Sequence, residues 1–71
     1  MIFTEKQRRL IALAAEGYTD KETARIVGKA AASVRNDWVR LLDKMDCANR
    51  TEAVAAAVAY GVVTILPVDT E

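Results

Sequence analysis

Few side chains in this sequence can perform catalysis. The 71 residues contain no His, one Cys and three Gly, so the chain lacks an imidazole base, a Cys/His metal set and a glycine-rich phosphate loop. Ser33, Arg35 and Asn36 do carry directional hydrogen-bonding groups, closely spaced along one segment. With no imidazole to activate a nucleophile beside them, such groups are suited to binding. We therefore expect a binding protein that uses no metal and no cofactor, and not an enzyme.

The charges limit the kind of partner. Ten Lys and Arg balance ten Asp and Glu, giving a formal net charge of zero, whereas nucleic-acid binding is favoured by a basic balance. Asp69 and Glu71, however, lie in the last three residues. Residues 1–68 then carry ten positive and eight negative groups, a net charge of +2. The part of the chain predicted to fold is mildly basic.

Length and hydropathy limit the architecture. A chain of 71 residues supports one domain with a thin core, which a partner subunit would stabilise. The charged first ten residues lack the apolar core of a signal peptide. The most apolar stretch, residues 53–68, contains Gly61 and Pro67 and is shorter than the roughly 20 residues that span a bilayer. With a single Cys, which suits a reducing compartment, we expect a cytoplasmic protein with no membrane contact.

The first helix is predicted to begin at Thr4 and to end before Gly17. Thr4 and Gln7 have the spacing of a capping box, in which a hydroxyl and an amide side chain satisfy each other's backbone N–H groups. Glycine supplies the left-handed residue that commonly follows a helix. The apolar stripe of this helix is predicted at Leu10, Leu13 and Ala14, with Ile11 at its flank.

A second capping box, Thr19 with Glu22, begins a shorter helix that Gly28 ends. Ala24 and Val27 are its predicted buried residues. A helix of about two turns is unstable alone, so it must pack against a neighbour.

The third helix is predicted to begin within residues 30–32 and to end near Met45. Helical spacing gives it a core face consisting of Val34, Trp38, Leu41 and Met45. Its outer face consists of Ala32, Arg35, Asn36, Val39, Arg40 and Asp43. By itself, such an outer face is most often merely solvated.

The last helix is predicted from Arg50 to Tyr60, with Asn49 as its N-cap and Glu52 three residues on. Eight consecutive residues, 53–60, carry no charge or amide. A helix that is apolar on all sides is normally buried on all sides, and a second subunit is the natural cover. A monomer that buries this helix internally is the alternative.

A short helix, a tight glycine turn and a longer helix with a polar outer face form the layout of a helix-turn-helix. Several blocks over residues 3–63, with the spacings between them preserved, resemble the C-terminal DNA-binding domain of LuxR/GerE-type regulators, in a stand-alone GerE-like form. These blocks are Phe3-Thr4-Glu5-Lys6-Gln7, Ala15-Glu16-Gly17-Tyr18-Thr19-Asp20-Lys21-Glu22-Thr23-Ala24-Arg25, Val27-Gly28, Ser33-Val34-Arg35-Asn36 and Asn49-Arg50-Thr51-Glu52-Ala53-Val54.

The resemblance implies an all-α, four-helix domain in which the recognition helix, about residues 31–45, lies in the major groove of double-stranded DNA. Base contacts are expected from Ala31, Ala32, Ser33, Arg35 and Asn36. Phosphate contacts are expected from Thr19, Lys21, Lys29, Arg40 and Arg50. The last helix would join two subunits through Val54, Ala55, Val58, Ala59 and Val62.

Some residues depart from the family pattern. Residues 30–32 are all Ala, which removes the capping hydroxyl of the recognition helix. Asp37 replaces a His near the surface that should approach phosphates, and we expect it to pair with Arg40 one turn on. Thr23 replaces a core Ile, and Asp46 replaces the Gly after the recognition helix.

The sequence therefore predicts a helix-turn-helix domain over residues 1–66, followed by a tail of residues 67–71. Its predicted function is that of a homodimeric, sequence-specific regulator of transcription, bacterial or phage-encoded, with RNA polymerase as a further candidate partner. The alternative is a protein-interaction module of the same fold that binds and inhibits a LuxR-type regulator without binding DNA.

Overall fold

The computed structural model of the chain describes residues 2–61. They form four helices: α1 (Glu5–Ala15), α2 (Asp20–Val27), α3 (Ala31–Met45) and α4 (Arg50–Ala59). No residue in this range belongs to a strand, and the predicted all-α, four-helix class is confirmed. The predicted tail and Val62 lie outside the described residues.

Both predicted capping boxes are formed. The hydroxyl of Thr4 accepts from the backbone N–H of Gln7 at 3.1 Å, and Gln7 Oε1 accepts from the N–H of Thr4 at 2.9 Å. Thr19 and Glu22 make the same two bonds at the same distances. Each box satisfies two N–H groups that the helix leaves without intrahelical partners, and so fixes where α1 and α2 begin.

The cap of α4 differs in one detail. Asn49 accepts from the N–H of Glu52 at 2.9 Å, as predicted. The Glu52 carboxylate reaches one residue further back and accepts from the N–H of Ala48 at 2.6 Å. The α3–α4 connection is thereby bonded to the first turn of α4.

The core lies where the four helices meet. Its buried residues are Phe3, Leu10, Ile11, Ala24, Val34, Trp38, Leu41, Ala53 and Ala57. Val34, Trp38 and Leu41 confirm the predicted core face of α3, and Met45 is half-buried at its end. α2 packs mainly on α3, and α1 mainly on α4. None of the helices described in residues 2–61 is long and apolar enough to cross a membrane.

The most deeply buried positions of α1 and α2 are shifted from the predicted ones. Ile11, predicted at the flank of the α1 stripe, is fully buried, whereas Leu13 is only half-buried. α1 packs against both α4 and α2, which turns its buried face toward Ile11. In α2, Thr23 is buried and Val27 is half-buried. Periodicity gives the spacing of a buried face but not the direction of a second neighbour.

Asp46 ends α3 in the left-handed conformation, with φ 55° and ψ 44°. This conformation disfavours residues with a Cβ, and a negative charge at a helix C-terminus opposes the helix dipole. We expect Asp46→Gly to raise the free energy of unfolding by about 0.5–1 kcal/mol in urea titrations. Asp46→Asn should gain only about 0.3 kcal/mol, since it mainly removes the charge. A glycine variant no more stable than the asparagine variant would show that the backbone there is unstrained.

Candidate nucleic-acid interface

A three-residue connection sets α3 across α2. Gly28 takes up the left-handed conformation, with φ 74°, and the N–H of Lys29 donates to the carbonyl of Ala24 at 2.9 Å. Ala30 is extended and α3 begins at the next residue. This turn confirms the role predicted for Gly28, and it leaves the side of α3 opposite the core facing outward.

The outward face of α3 carries most of the predicted base-contacting residues. Exposed side chains on it are Ala32, Ser33, Arg35, Asn36, Val39 and Arg40. The Arg35 side chain is 61% exposed, and Val39 is 63% exposed. Ala31 differs, because its half-buried methyl packs against the core. Base contact by Ala31 stays a prediction that the packing does not favour.

The first turn of α3 has no side-chain cap. Ala30 occupies the N-cap and makes no side-chain hydrogen bond, although its carbonyl accepts from the N–H of Ser33 at 3.0 Å. The short side chains of residues 30–32 let the backbone of this end approach another surface closely. They also restrict direct contacts there to methyl groups and backbone.

Asp20 joins three helices. Its two carboxylate oxygens accept from Arg50 of α4, Oδ1 from Nη1 at 2.5 Å and Oδ2 from Nη2 at 2.9 Å. The Arg50 guanidinium also lies over the Trp38 ring, 5.0 Å from its centroid. Arg35 of α3 is further away, with Nε 3.9 Å from Asp20 Oδ2. The hydrogen bonds from Arg50, more than the charge of Arg35, hold the pKa of Asp20 below its usual value.

Asp37 pairs with Lys29 and Lys6, and the expected pairing with Arg40 was wrong. Asp37 Oδ2 lies 2.9 Å from Lys29 Nζ and 3.6 Å from Lys6 Nζ. The hydrogen bond from Lys29 is the main cause that lowers the pKa of Asp37. Asp37 lies on the flank of α3 toward α1 and the turn, so cations from those elements reach it. Its negative charge is therefore offset within the protein.

Residues 1–57 match the GerE family of bacterial regulatory proteins, the luxR family. The chain belongs to the luxR family. This confirms the resemblance read from the sequence blocks, and the domain is a helix-turn-helix of a DNA-binding regulatory type. No curated protein and no solved structure matches the chain.

In this luxR-family domain, the predicted phosphate contacts divide into two groups. Lys29 and Arg50 form ion pairs inside the protein, and the Thr19 hydroxyl caps α2. Lys21 and Arg40 are exposed and form no ion pair among residues 2–61. Arg25 is likewise exposed and forms no ion pair among these residues, so it is a further candidate for a phosphate contact. The phosphate roles of all five predicted residues stay predictions.

The predicted dimer residues of α4 lie on different sides of the helix. Ala55, Val58 and Ala59 are exposed, and Val58 is 39% exposed. Val54 is half-buried and packs against the core. Val62 falls outside the described residues. Ala55, Val58 and Ala59 thus form an apolar strip of α4 that other side chains of residues 2–61 leave exposed.

The two paired carboxylates predict how the stability of this luxR-family domain depends on pH. A lowered pKa in the folded state adds stability above the unfolded pKa, about 3.9, and that stability is lost as the pH falls through the folded value. Asp20 and Asp37 both have lowered pKa values. We expect the unfolding free energy to be flat from about pH 7 to pH 5 and to fall below about pH 4.

Asp20→Asn and Asp37→Asn should each reduce the loss of unfolding free energy below about pH 4. Urea titrations between about pH 7 and pH 3 measure this loss. Asp43→Asn is the matched control, since Asp43 is exposed and forms no ion pair among the described residues. If all three variants reduce the loss of unfolding free energy equally, the ion pairs of Asp20 and Asp37 contribute nothing specific to the pH dependence.

Among residues 2–61, no group of three His, Cys, Asp or Glu side chains is placed to hold a metal ion.

Proposed function

We propose that this protein is a sequence-specific, double-stranded DNA-binding regulator of transcription that acts as a homodimer in the bacterial cytoplasm. The observation that carries the proposal is the combination of luxR-family membership with an exposed outer face of α3. On that face Arg35 and Asn36 extend from a helix whose opposite side is locked in the core by Val34 and Trp38. A helix anchored in this way can enter a major groove about 12 Å wide.

Arg35 and Asn36 are the proposed base readers. A guanidinium can donate two parallel hydrogen bonds to the major-groove edge of guanine, and an amide can both donate to and accept from adenine. Ser33 and Ala32, on the same exposed face, are short enough to let the helix approach and to meet a thymine methyl. Lys21 and Arg40 would bind the flanking phosphates, since neither charge is offset by an ion pair among residues 2–61.

The proposed dimer forms through α4. Ala55, Val58 and Ala59 present an apolar surface of small side chains, which lets two helices pack closely. A second subunit would cover this surface and would also double the number of base and phosphate contacts on one duplex. A single subunit has only a few such groups, so binding by a dimer is what supplies useful affinity.

Salt dependence tests whether the protein binds DNA. The logarithm of the binding constant falls linearly with the logarithm of the salt concentration, with a slope of about −0.9 times the number of phosphates contacted. With Lys21 and Arg40 from each of two subunits, the affinity for a duplex should fall about 10²-fold between roughly 50 and 200 mM salt. If Lys29 and Arg50 also leave their carboxylates to contact phosphates, the fall should be about 10⁴-fold. No detectable binding to duplex DNA at low salt would overturn the proposal.

One observation favours a second candidate function. Three of the cations near the helix-turn-helix, Lys6, Lys29 and Arg50, are engaged in ion pairs within the protein, which reduces the charge offered to DNA. A domain of this kind could instead bind a LuxR-type regulator through α4 and inhibit it. Absent DNA binding, together with formation of a stable heterodimer with such a regulator, would support this second function.

A further inference from the structure

We propose that Arg50 keeps Arg35 available for DNA by occupying the carboxylate that would otherwise capture it. In this arrangement Asp20 is shared by two arginines, one on the dimerisation helix and one on the recognition helix. The inference rests on the proposed function, because it assigns Arg50 a positioning role in base reading. It differs from the sequence-based expectation that Arg50 contacts a phosphate.

The distances show which arginine holds Asp20. Arg50 donates to both carboxylate oxygens, at 2.5 and 2.9 Å, which is the bidentate geometry of the strongest arginine–carboxylate pairs. Arg35 reaches Asp20 only through Nε, at 3.9 Å. That distance allows electrostatic attraction but is too long for a hydrogen bond. The two terminal nitrogens of Arg35 are therefore not committed to Asp20.

Packing explains why Arg50 is the preferred partner. Its guanidinium is fixed over the Trp38 ring, and its side chain is 37% exposed against 61% for Arg35. A guanidinium already held in place loses less freedom on forming the pair. The more exposed Arg35 is left at the edge of the cluster, and among residues 2–61 its terminal nitrogens form no ion pair.

Removal of the Arg50 side chain should make Arg35 the partner of Asp20. The Asp20 side chain is only 20% exposed, and a carboxylate in that setting is costly to leave without a partner. Arg35 is the one other cation in residues 2–61 that forms an ion pair with Asp20. A small side-chain rotation would close the 3.9 Å gap and turn the guanidinium from the outer face of α3 toward α2.

The shared carboxylate of Asp20 also couples the two proposed activities, dimerisation through α4 and base recognition by α3. Arg50 is the first residue of α4, whereas Arg35 lies on the reading face of α3. A displacement of α4 that separates Arg50 from Asp20 would therefore lower base discrimination without touching α3. The position of α4 and the availability of Arg35 for base contacts are therefore linked through the Asp20 side chain.

The test compares four proteins: the wild type, Arg50→Gln, Asp20→Asn and the double variant. The quantity measured is the ratio of affinities for the duplex that the wild type selects from a random pool and for a scrambled duplex. We expect Arg50→Gln to lower this ratio at least about tenfold, because capture of Arg35 in both subunits removes two arginine–guanine contacts worth about 1–3 kcal/mol each. Asp20→Asn in the same chain should restore most of it, because no carboxylate remains to capture Arg35.

Two results would overturn the inference. If Arg50→Gln weakens binding to both duplexes equally and Asp20→Asn does not restore it, Arg50 is a phosphate contact. If Arg50→Gln still lowers the ratio when Arg35 is already Ala, the effect does not pass through Arg35. Thermal unfolding of each variant separates these results from loss of the fold. Should the Gln variant not fold, Arg50→Lys, which cannot span both oxygens, is expected to change the ratio in the same direction by less.

A readout without DNA separates this inference from the proposed function. Exchange of the Arg35 Nε proton with water, followed by NMR, should slow in Arg50→Gln and return to the wild-type rate in the double variant. Unchanged exchange would overturn the inference even if the protein binds DNA as proposed. Slowed exchange in a protein that prefers no duplex would support the capture of Arg35 and reject the proposed function.

Discussion

Arg35→Ala is expected to lower sequence discrimination strongly, without abolishing the part that Asn36 supplies, while leaving the fold intact. The side chain is 61% exposed and lies opposite the buried face of α3, so its removal leaves no cavity. A bidentate arginine–guanine contact is worth about 1–3 kcal/mol, which for two subunits corresponds to a loss of at least about 30-fold in affinity. Fluorescence anisotropy with the selected duplex and a scrambled duplex measures this loss.

Arg9→Ala is the matched control for Arg35→Ala. Arg9 is exposed, lies on α1 and forms no ion pair among residues 2–61, so the change in net charge is the same. We expect it to leave the ratio of specific to scrambled affinity unchanged. Equal effects of the two variants would mean that Arg35 contributes charge only, and unchanged specific affinity in Arg35→Ala would remove it from the base-reading site.

Val58→Glu should convert the dimer to a monomer. Val58 is 39% exposed on the apolar strip of α4, and in a symmetric interface the substitution would bury two like charges near each other. Because two linked contacts bind far more tightly than one, the affinity for the selected duplex should fall about 10²-fold or more. Sedimentation measures the oligomeric state, and anisotropy measures the affinity.

Ile2→Glu provides the control for Val58→Glu. Ile2 is 87% exposed and lies in the segment before α1. Ile2→Glu therefore replaces a large exposed apolar side chain by the same negative charge, but outside α4. We expect this variant to remain dimeric and to bind DNA as the wild type does. A wild-type protein that is monomeric at concentrations where it binds DNA fully would contradict the proposed dimer.

Local features of the fold could be predicted from the sequence because they depend on a few neighbouring residues. The Thr4 and Thr19 boxes and the left-handed Gly28 each require only a short segment, and all three are present. The Val34 and Trp38 face of α3 follows from helical periodicity and is also confirmed. The exposure of Arg35 and Asn36 was predictable for the same reason.

Contacts between helices could not be predicted in this way. Asp37 was expected to pair within its own helix with Arg40, yet its partners come from α1 and the turn. The pairing of Asp20 with Arg50 spans 30 residues, and no short motif contains it. Such pairs depend on how the helices cross, which propensity and periodicity do not fix. These ion pairs also determine which Lys and Arg side chains are still available to bind a partner molecule.

Selection of bound duplexes from a random pool by the wild-type protein, followed by sequencing, tests the central claim most directly. We predict enrichment of a short motif that occurs twice with fixed spacing, as two copies of α3 in successive major grooves require. The same selection with Arg35→Ala should lose preference at specific base positions within each half-site. A pool that stays random after repeated rounds at low salt would contradict sequence-specific DNA binding by this domain.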